Sequence, residues 1–420
     1  MINRLKDLLK KKSAQNGIWL YGLQFFNFVI PLLTLPYITR ILGKSSYGTF
    51  SIALNIVTYL QVIVEYGFGM SATRKVAIND NENHNKLFTS VVLGRVFLLT
   101  LCAFISVVYV CLNISNKQLC FSYLILTICL LGYCVQMNWV FQGLQEMKYI
   151  SIVNILGRTI STVLIFLLVK TSNDLYLYCL LYSISPFLSG FIGLIIAKHK
   201  YKLRFVKVSI KDVGNELRNG FYVFTTQLSS KIFGSIGVTF LGIYATSSIV
   251  GVYSAIQKIP NVMVLLWAPI AQVIYPIVSR HFNNDFYEGF SFILKIKKRV
   301  MPIFILFALL IGIFGKFIVG LLFGSEYSPY YYWLWPLLGW LIVSIDNNFM
   351  GIQILIGSGH DKEYGRAFWI GVLFTVIVNF VFIRFGEGNG AAIAPLISEI
   401  ILNCLLRCNI RLIKKNYKVQ

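Results

Sequence analysis

The chain has 420 residues, 57% of them hydrophobic and only 13% charged, with a mean hydropathy of +0.70. A soluble chain would carry about a quarter charged residues, so the composition excludes a soluble globular protein and indicates a polytopic membrane protein. The net charge of +22, from 38 Lys and Arg against 16 Asp and Glu, would suggest nucleic acid in a soluble protein; here it reads as the basic excess of cytoplasmic loops, and no nucleic-acid partner is implied.

Met1 to Ser13 is basic and amphipathic and is predicted to lie on the membrane surface. The first apolar span is read as retained, because no small-residue cleavage site accompanies it. From Asn16 to Tyr59 two spans flank a basic turn, Arg40-Ile41-Leu42-Gly43-Lys44-Ser45-Ser46. The first carries Asn16, Gln24 and Asn27; the second carries Ser51, Asn55, Thr58 and Glu65. Such groups face protein or water rather than lipid, so the pair is predicted to be a helical hairpin with a polar inner face. Pro31 and Pro36 are compatible with the first span because neighbouring helices can satisfy freed carbonyls.

Later spans are predicted at roughly 87–112, 119–142, 149–170, 175–197, 219–244, 249–279, 301–323, 332–357, 363–383 and 390–413, making about twelve helices. Tyr330 to Trp335 reads as an aromatic belt at an interface. With the N-terminus inside, the predicted inner segments collect most Lys and Arg, and the outer ones hold only Arg40, Lys44, Lys117, Lys170 and Arg384. Both termini are therefore expected in the cytoplasm. The longest inner loop, 198–218, is basic; it separates a six-helix N-terminal lobe, 1–197, from a six-helix C-terminal lobe, 219–420. A shift of 203 positions without gaps brings Asn16-Gly17 onto Asn219-Gly220, Gln24 onto Gln227, Ser45 onto Ser248, Gly48 onto Gly251 and Ser51 onto Ser254. This predicts an internal duplication, a pattern that in transporters places the substrate site at the repeat interface.

Enzymatic signals are missing from the sequence. His84, His199, His281 and His360 all fall in or beside inner loops, so none can act as a buried base, ligand or relay. Gly357-Ser358-Gly359 follows no strand and is not a nucleophile elbow. No phosphate-binding loop of the Walker type occurs. The eight Cys form no Cys-x-x-Cys pair and read as small packing residues. No cofactor or metal is expected.

Charges inside the spans carry the functional signal. Arg95, Arg158, Lys231, Lys258, Lys316 and Arg407 stand against Glu65, Asp346 and Glu399. Each costs roughly 2.5–3.5 kcal/mol or more at mid-membrane, so it needs a partner or a function. Lys231 lies near the middle of its span, one turn beyond Gln227, and is the leading substrate-binding candidate; an ion pair with Asp346 or Glu399 is the structural alternative. Asp346-Asn347-Asn348, with Gln353, cannot share one helix face, so part of the group is expected to join neighbouring helices. Asp346 and Glu399 are the candidates for ion coupling.

Pro31-Leu32-Leu33-Thr34-Leu35-Pro36-Tyr37-Ile38-Thr39-Arg40-Ile41-Leu42-Gly43, followed by Tyr47-Gly48, resembles the polysaccharide-export flippases. These are the O-antigen (Wzx-type) transporters of the multidrug/oligosaccharidyl-lipid/polysaccharide superfamily. Glu65-Tyr66-Gly67-Phe68, Ser71-Ala72-Thr73-Arg74, Gly251-Val252-Tyr253-Ser254-Ala255 and Gly390-Ala391-Ala392-Ile393-Ala394 are similar to them too. The resemblance implies an all-α integral membrane protein with two six-helix lobes around a central, often cationic cavity. It implies an undecaprenyl-pyrophosphate-linked oligosaccharide as substrate, moved across the bacterial inner membrane by alternating access. Cavity roles do not carry over by motif, since only Arg40 lies in the recognisable segment; by depth and polarity the candidates for substrate contact are Lys231, Gln227, Gln24, Asn27, Arg95, Arg158, Lys258 and Arg40. Membrane lipids and polysaccharide polymerase or assembly proteins are the implied partners. A multidrug/cation antiporter of the same superfamily would share the fold, but carboxylates would be expected in its first helix. A membrane polysaccharide polymerase would need a sizeable outer loop, and the outer loops here are short.

Overall fold

The computed structural model describes residues 12–78 and 84–419. The segment predicted for the membrane surface lies outside them, apart from the backbone at its end. Among the described residues all regular structure is helical. Eight helical stretches among the described residues are long and apolar enough to cross a membrane. Two of these, Gln15–Ile78 and Asp361–Lys415, each hold two limbs joined at a kink. The bent pair Phe286–Ile313 and Gly315–Phe323 adds another crossing, and Ile210–Tyr244 is long enough at 35 residues but more polar. Taken together they match the twelve spans expected from the sequence.

Helix α1, Lys12–Glu65, breaks at Gly43, whose backbone takes φ 70° and ψ 172°, a conformation that only glycine adopts without strain. This is the turn of the predicted hairpin. A second break at Tyr66 and Gly67, with φ of 44° and 73°, separates α1 from α2, Phe68–Ile78. Helix α3 is His84–Leu112. The fourth span is three pieces, α4 Lys117–Leu126, α5 Ile128–Val135 and α6 Asn138–Gly143, where the sequence predicted one helix. Then come α7, Met147–Leu168, and α8, Leu175–Lys200. Helix α9, Ile210–Tyr244, starts earlier than predicted, which shortens the expected loop 198–218 to 201–209. Ser209 and Asp212 explain the early start. The Ser209 hydroxyl accepts from the Asp212 amide at 3.2 Å, and the Asp212 carboxylate accepts from the Ser209 amide at 3.0 Å, the reciprocal arrangement of a capping box.

The rest is α10, Ser247–Ile256; α11, Lys258–Asn284; α12, Phe286–Ile313; α13, Gly315–Phe323; α14, Leu334–Asn348; a π-helical turn, Phe349–Ile356; and α15, Asp361–Val419. The basic run Lys295, Lys297, Lys298 and Arg299, predicted for an inner loop, is part of α12. The two limbs of α15 meet at Glu387, at φ 44° and ψ −120°. Beside the kink, Asn389 accepts from the Trp333 indole at 2.7 Å and the Tyr332 hydroxyl at 3.1 Å, which fixes the predicted aromatic belt to the kink.

The chain forms two compact units. One holds the chain up to Lys231 apart from Gly43–Gly48; the other holds Gly43–Gly48 and everything from Ile232 onward. The first is built on Phe68, Phe88, Met137, Trp139 and Phe141, all nearly inaccessible. Its α5 and α8 touch backbone to backbone: a Cβ on Gly190 would lie 2.2 Å from the Gly132 carbonyl oxygen. The start of α9 belongs to this unit, where Phe224 stacks on Tyr66 at 4.6 Å and Lys75 pairs with Glu216 at 2.7 Å. In the second unit Trp267 of α11 packs on Phe349 at 4.8 Å and on Phe304 at 5.9 Å.

One contact in the second unit bears on the repeat. A Cβ on Gly48 would lie 1.7 Å from the Ser247 carbonyl oxygen, and a Cβ on Gly251 would lie 2.0 Å from that of Lys44. The 203-residue shift turns Gly48 into Gly251 and Lys44 into Ser247. The contact is therefore reciprocal, each segment meeting its counterpart through the same two positions.

Candidate functional site

The first limb of α1 is held to α7 by a seam of side-chain hydrogen bonds. Asn16 donates to the Gln145 carbonyl at 2.9 Å and accepts from the Met147 amide at 3.3 Å. One turn up, the Ser151 hydroxyl donates to the Trp19 carbonyl at 2.7 Å. Arg158 donates to Asn27 Oδ1 at 2.6 Å, and the Tyr37 hydroxyl donates to the Val169 carbonyl at 2.8 Å. Apolar packing gives little drive for association in lipid, so interhelical hydrogen bonds of this kind do that work. Elsewhere the limb is largely exposed, with Ile18, Tyr21, Phe25 and Leu33 open.

Arg158 stands at the centre of this seam, midway along α7. A guanidinium has five N–H donors; this one spends a bond on a neutral amide, and among the described residues no carboxylate pairs with it. Gln24 is exposed on α1 one turn before Asn27. The structure thus brings Asn27 and Arg158 together with Gln24 close by in sequence on the same helix. Beyond the end of α7, Asp174 accepts from the amides of Lys170 and Thr171 at 2.9 and 2.8 Å, which holds its carboxyl below the usual range.

Arg95 is different. It is 4% exposed and donates to the carbonyls of Gln136 at 2.6 Å and Tyr133 at 3.4 Å. Those carbonyls end α5 where Gln136 turns extended, at ψ 125°. The guanidinium, predicted as a substrate contact, caps the break between α5 and α6.

Lys231 and Gln227 are half-buried, one turn apart on α9. Arg40 is exposed three residues before the Gly43 kink, and Lys258 is exposed as the first residue of α11.

The second unit holds the two buried carboxylates. Asp346, on α14, is 8% exposed. It pairs with Lys297 of α12 and, at 2.6 Å, with Arg407 of α15. Asn403 donates to it at 3.0 Å and to Asn347 Oδ1 at 2.7 Å. Glu399 is 4% exposed and accepts from Asn347. The expectation that the polar group at 346–348 joins neighbouring helices holds for Asp346 and Asn347. Lys297 and Asn403 were missed in the sequence. Asn403 had a signal, since Glu399, Asn403 and Arg407 lie at steps of four and line one helical stripe. Lys297 had none, because the run around it reads as solvated charge.

The sequence profile of the family described as "Polysaccharide biosynthesis protein" matches residues 13–282. A protein of Escherichia coli (strain K12) named "Putative O-antigen transporter" is 26% identical over 408 residues, covering 96% of this chain and 97% of its own. A Haloferax volcanii protein named "Probable low-salt glycan biosynthesis flippase Agl15" is 23% identical, covering 92% of this chain and 80% of its own. Among solved structures, the lipid II flippase MurJ in an inward closed conformation superposes with a TM-score of 0.73 at 16% identity, covering 95% of this chain and 87% of that one. A multidrug resistance MATE transporter in an inward-facing conformation gives 0.67 at 13% identity, with 92% and 99% covered. At these identities the two structures speak for the fold alone, twelve membrane helices in two lobes.

Proposed function

Because this chain belongs to the polysaccharide biosynthesis protein family, we propose that it is a flippase that carries a lipid-linked oligosaccharide repeat unit across the bacterial inner membrane. The carrier we assign is undecaprenyl pyrophosphate, and the mode is alternating access, with both termini in the cytoplasm. The names of the relatives support a flippase or transporter over an enzyme. The observation that carries the reading is Arg158. A guanidinium at mid-span with a single neutral partner is expensive in lipid and is matched to phosphate, which it can bind in a fork. Gln24, Asn27, Gln227, Lys231, Lys258 and Arg40 are the further contacts proposed along the route, and polysaccharide polymerase or assembly proteins are the proposed receivers.

The test is complementation of a flippase-null strain, read as surface polysaccharide and normalised to the membrane level of each variant. Arg158→Ala is expected to reach the wild-type membrane level and to lose surface polysaccharide. Arg158→Lys keeps the charge without the planar fork and is expected to fall between the two. Full complementation by Arg158→Ala would remove the observation on which the reading rests.

A further inference from the structure

Two carboxylates lie buried in the second unit, and their surroundings differ. Asp346 is clamped by Lys297 and Arg407, so its negative charge is compensated in place. Glu399 has no such partner: among the described residues neither Lys nor Arg pairs with it. Its carboxylate accepts from the neutral Asn347 amide, and the Ser344 and Trp340 side chains of α14 lie near it. Asn347 also donates to the Glu399 backbone carbonyl at 2.9 Å, which locks the side chain against α14. The charged or titratable groups that face this region are Asp346 of α14, Lys297 of α12, Arg407 of the second limb of α15 and Tyr364 of its first limb.

Glu399 also lies between two polar paths. On one side Asn347 Oδ1 meets Asn403, and Asn403 Oδ1 accepts from Arg407 Nε at 2.6 Å. This string follows one face of α15 to the Arg407 side chain, which is 48% exposed. On the other side Trp340 and Ser398 help line a cavity of about 50 Å³, together with Gly237, Tyr253, Thr375 and Asn379. Asn379 Oδ1 is buried there without a protein partner. A cavity of this size has room for water, and Asn379 Oδ1 offers it a partner. Ser398 is the residue before Glu399, so the cavity lies beside the same turn of α15.

We propose that Glu399 binds and releases a proton during the transport cycle, with Asp346 as the fixed, permanently charged neighbour. The inference rests on the flippase reading and names how that transport would be coupled. A carboxylate sealed from water needs a cation or a proton to balance it. The side chain bonded to the Glu399 carboxylate, Asn347, presents an N–H to it, where a metal ion would need further oxygen ligands. A proton fits: it adds to one carboxylate oxygen, takes the charge from −1 to zero, and leaves as a hydrated proton through the water of the cavity. No electron moves and no other bond changes.

The experiment is infrared difference spectroscopy of the purified full-length protein between acid and alkaline buffer, following the C=O stretch of a protonated carboxyl. Wild type and Glu326→Gln, a change at an exposed carboxylate, are expected to show a band that Glu399→Gln lacks. Persistence of the band in Glu399→Gln overturns the proposal, as does its loss from wild type on adding NaCl at constant pH, which assigns the site to sodium. In the flippase-null strain, Glu399→Gln at the wild-type membrane level is expected to lose surface polysaccharide, and full complementation overturns the coupling role. If Glu399→Gln does not accumulate, Glu399→Asp replaces it: a shifted band supports the assignment and an unshifted one overturns it. Failure of the wild-type chain to complement would strike the flippase reading, while the infrared result would still decide the proton site.

Discussion

At the scale of single residues, two arginines in the first unit show how environment decides role. Both lie within membrane spans, and both were candidates for substrate contact. Arg95 is buried and gives Nη1 to two backbone carbonyls at a helix break; Arg158 is only half-buried and gives Nη1 to one neutral side-chain amide. Arg95→Ala leaves those carbonyls unpaired in the interior, at a cost of about 1–3 kcal/mol for each buried group. The expected outcome is a reduced membrane level and a lower melting temperature of the purified protein, in contrast with the normal level expected for Arg158→Ala. Equal melting temperatures for Arg95→Ala and wild type would remove the structural role. The difference between the two arginines was not legible in the sequence. Depth and charge are readable from spacing, but the partner that neutralises a charge comes from another helix. The stripe Glu399, Asn403 and Arg407 was legible, because four-residue steps require only one helix.

At the scale of elements, breaks with a local cause could be read and breaks with a tertiary cause could not. The Gly43 turn follows from a glycine inside a basic, polar stretch. The start of α9 at Ile210 follows from Ser209 and Asp212, which hold each other's amides. The break at Gln136 has no glycine or proline, and it exists because Arg95 reaches across from α3. The kink at Glu387 sits among Gly386, Gly388 and Gly390, yet the residue with positive φ is the glutamate. The Gly48–Gly251 contact yields an element-scale prediction. A Cβ at either position enters the opposite carbonyl, and backbone cannot swing aside as a side chain can. Gly48→Ala and Gly251→Ala are each expected to lower the membrane level or the melting temperature, and to similar extents, because the contact is reciprocal. Gly22→Ala, where a Cβ would meet nothing within 4 Å, is the matched control. If both variants melt like that control, the close approach is not a constraint.

At the scale of the whole molecule, composition was enough for the fold class, because 57% hydrophobic residues with 13% charged leave no other solvent than lipid. The charge distribution gives the orientation its test. Reporter fusions at Asn116 and Asn173 are expected to read periplasmic, and fusions at Lys207 and Asn284 cytoplasmic. A cytoplasmic signal at Asn116 or Asn173 would overturn the assignment of both termini to the cytoplasm. The candidate site was legible only in part, since the sequence supplied the polar residues of each helix but not which of them meet.

The seam between α1 and α7 also sets a timetable for biogenesis. Its bonds join residues about 130 positions apart, as Asn27 and Arg158 do at a separation of 131. A ribosome adding about 5–20 residues per second finishes Asn27 many seconds before it reaches Arg158. During that interval the first helix to enter the bilayer carries Asn16 and Asn27 with their later partners still unsynthesised. A lone helix with unmet amides is a poor lodger in hydrocarbon, so the nascent chain has reason to linger beside the insertion machinery until α7 arrives. The side chains that join the two helices in the finished protein thus tie the release of the first of them to the arrival of the second.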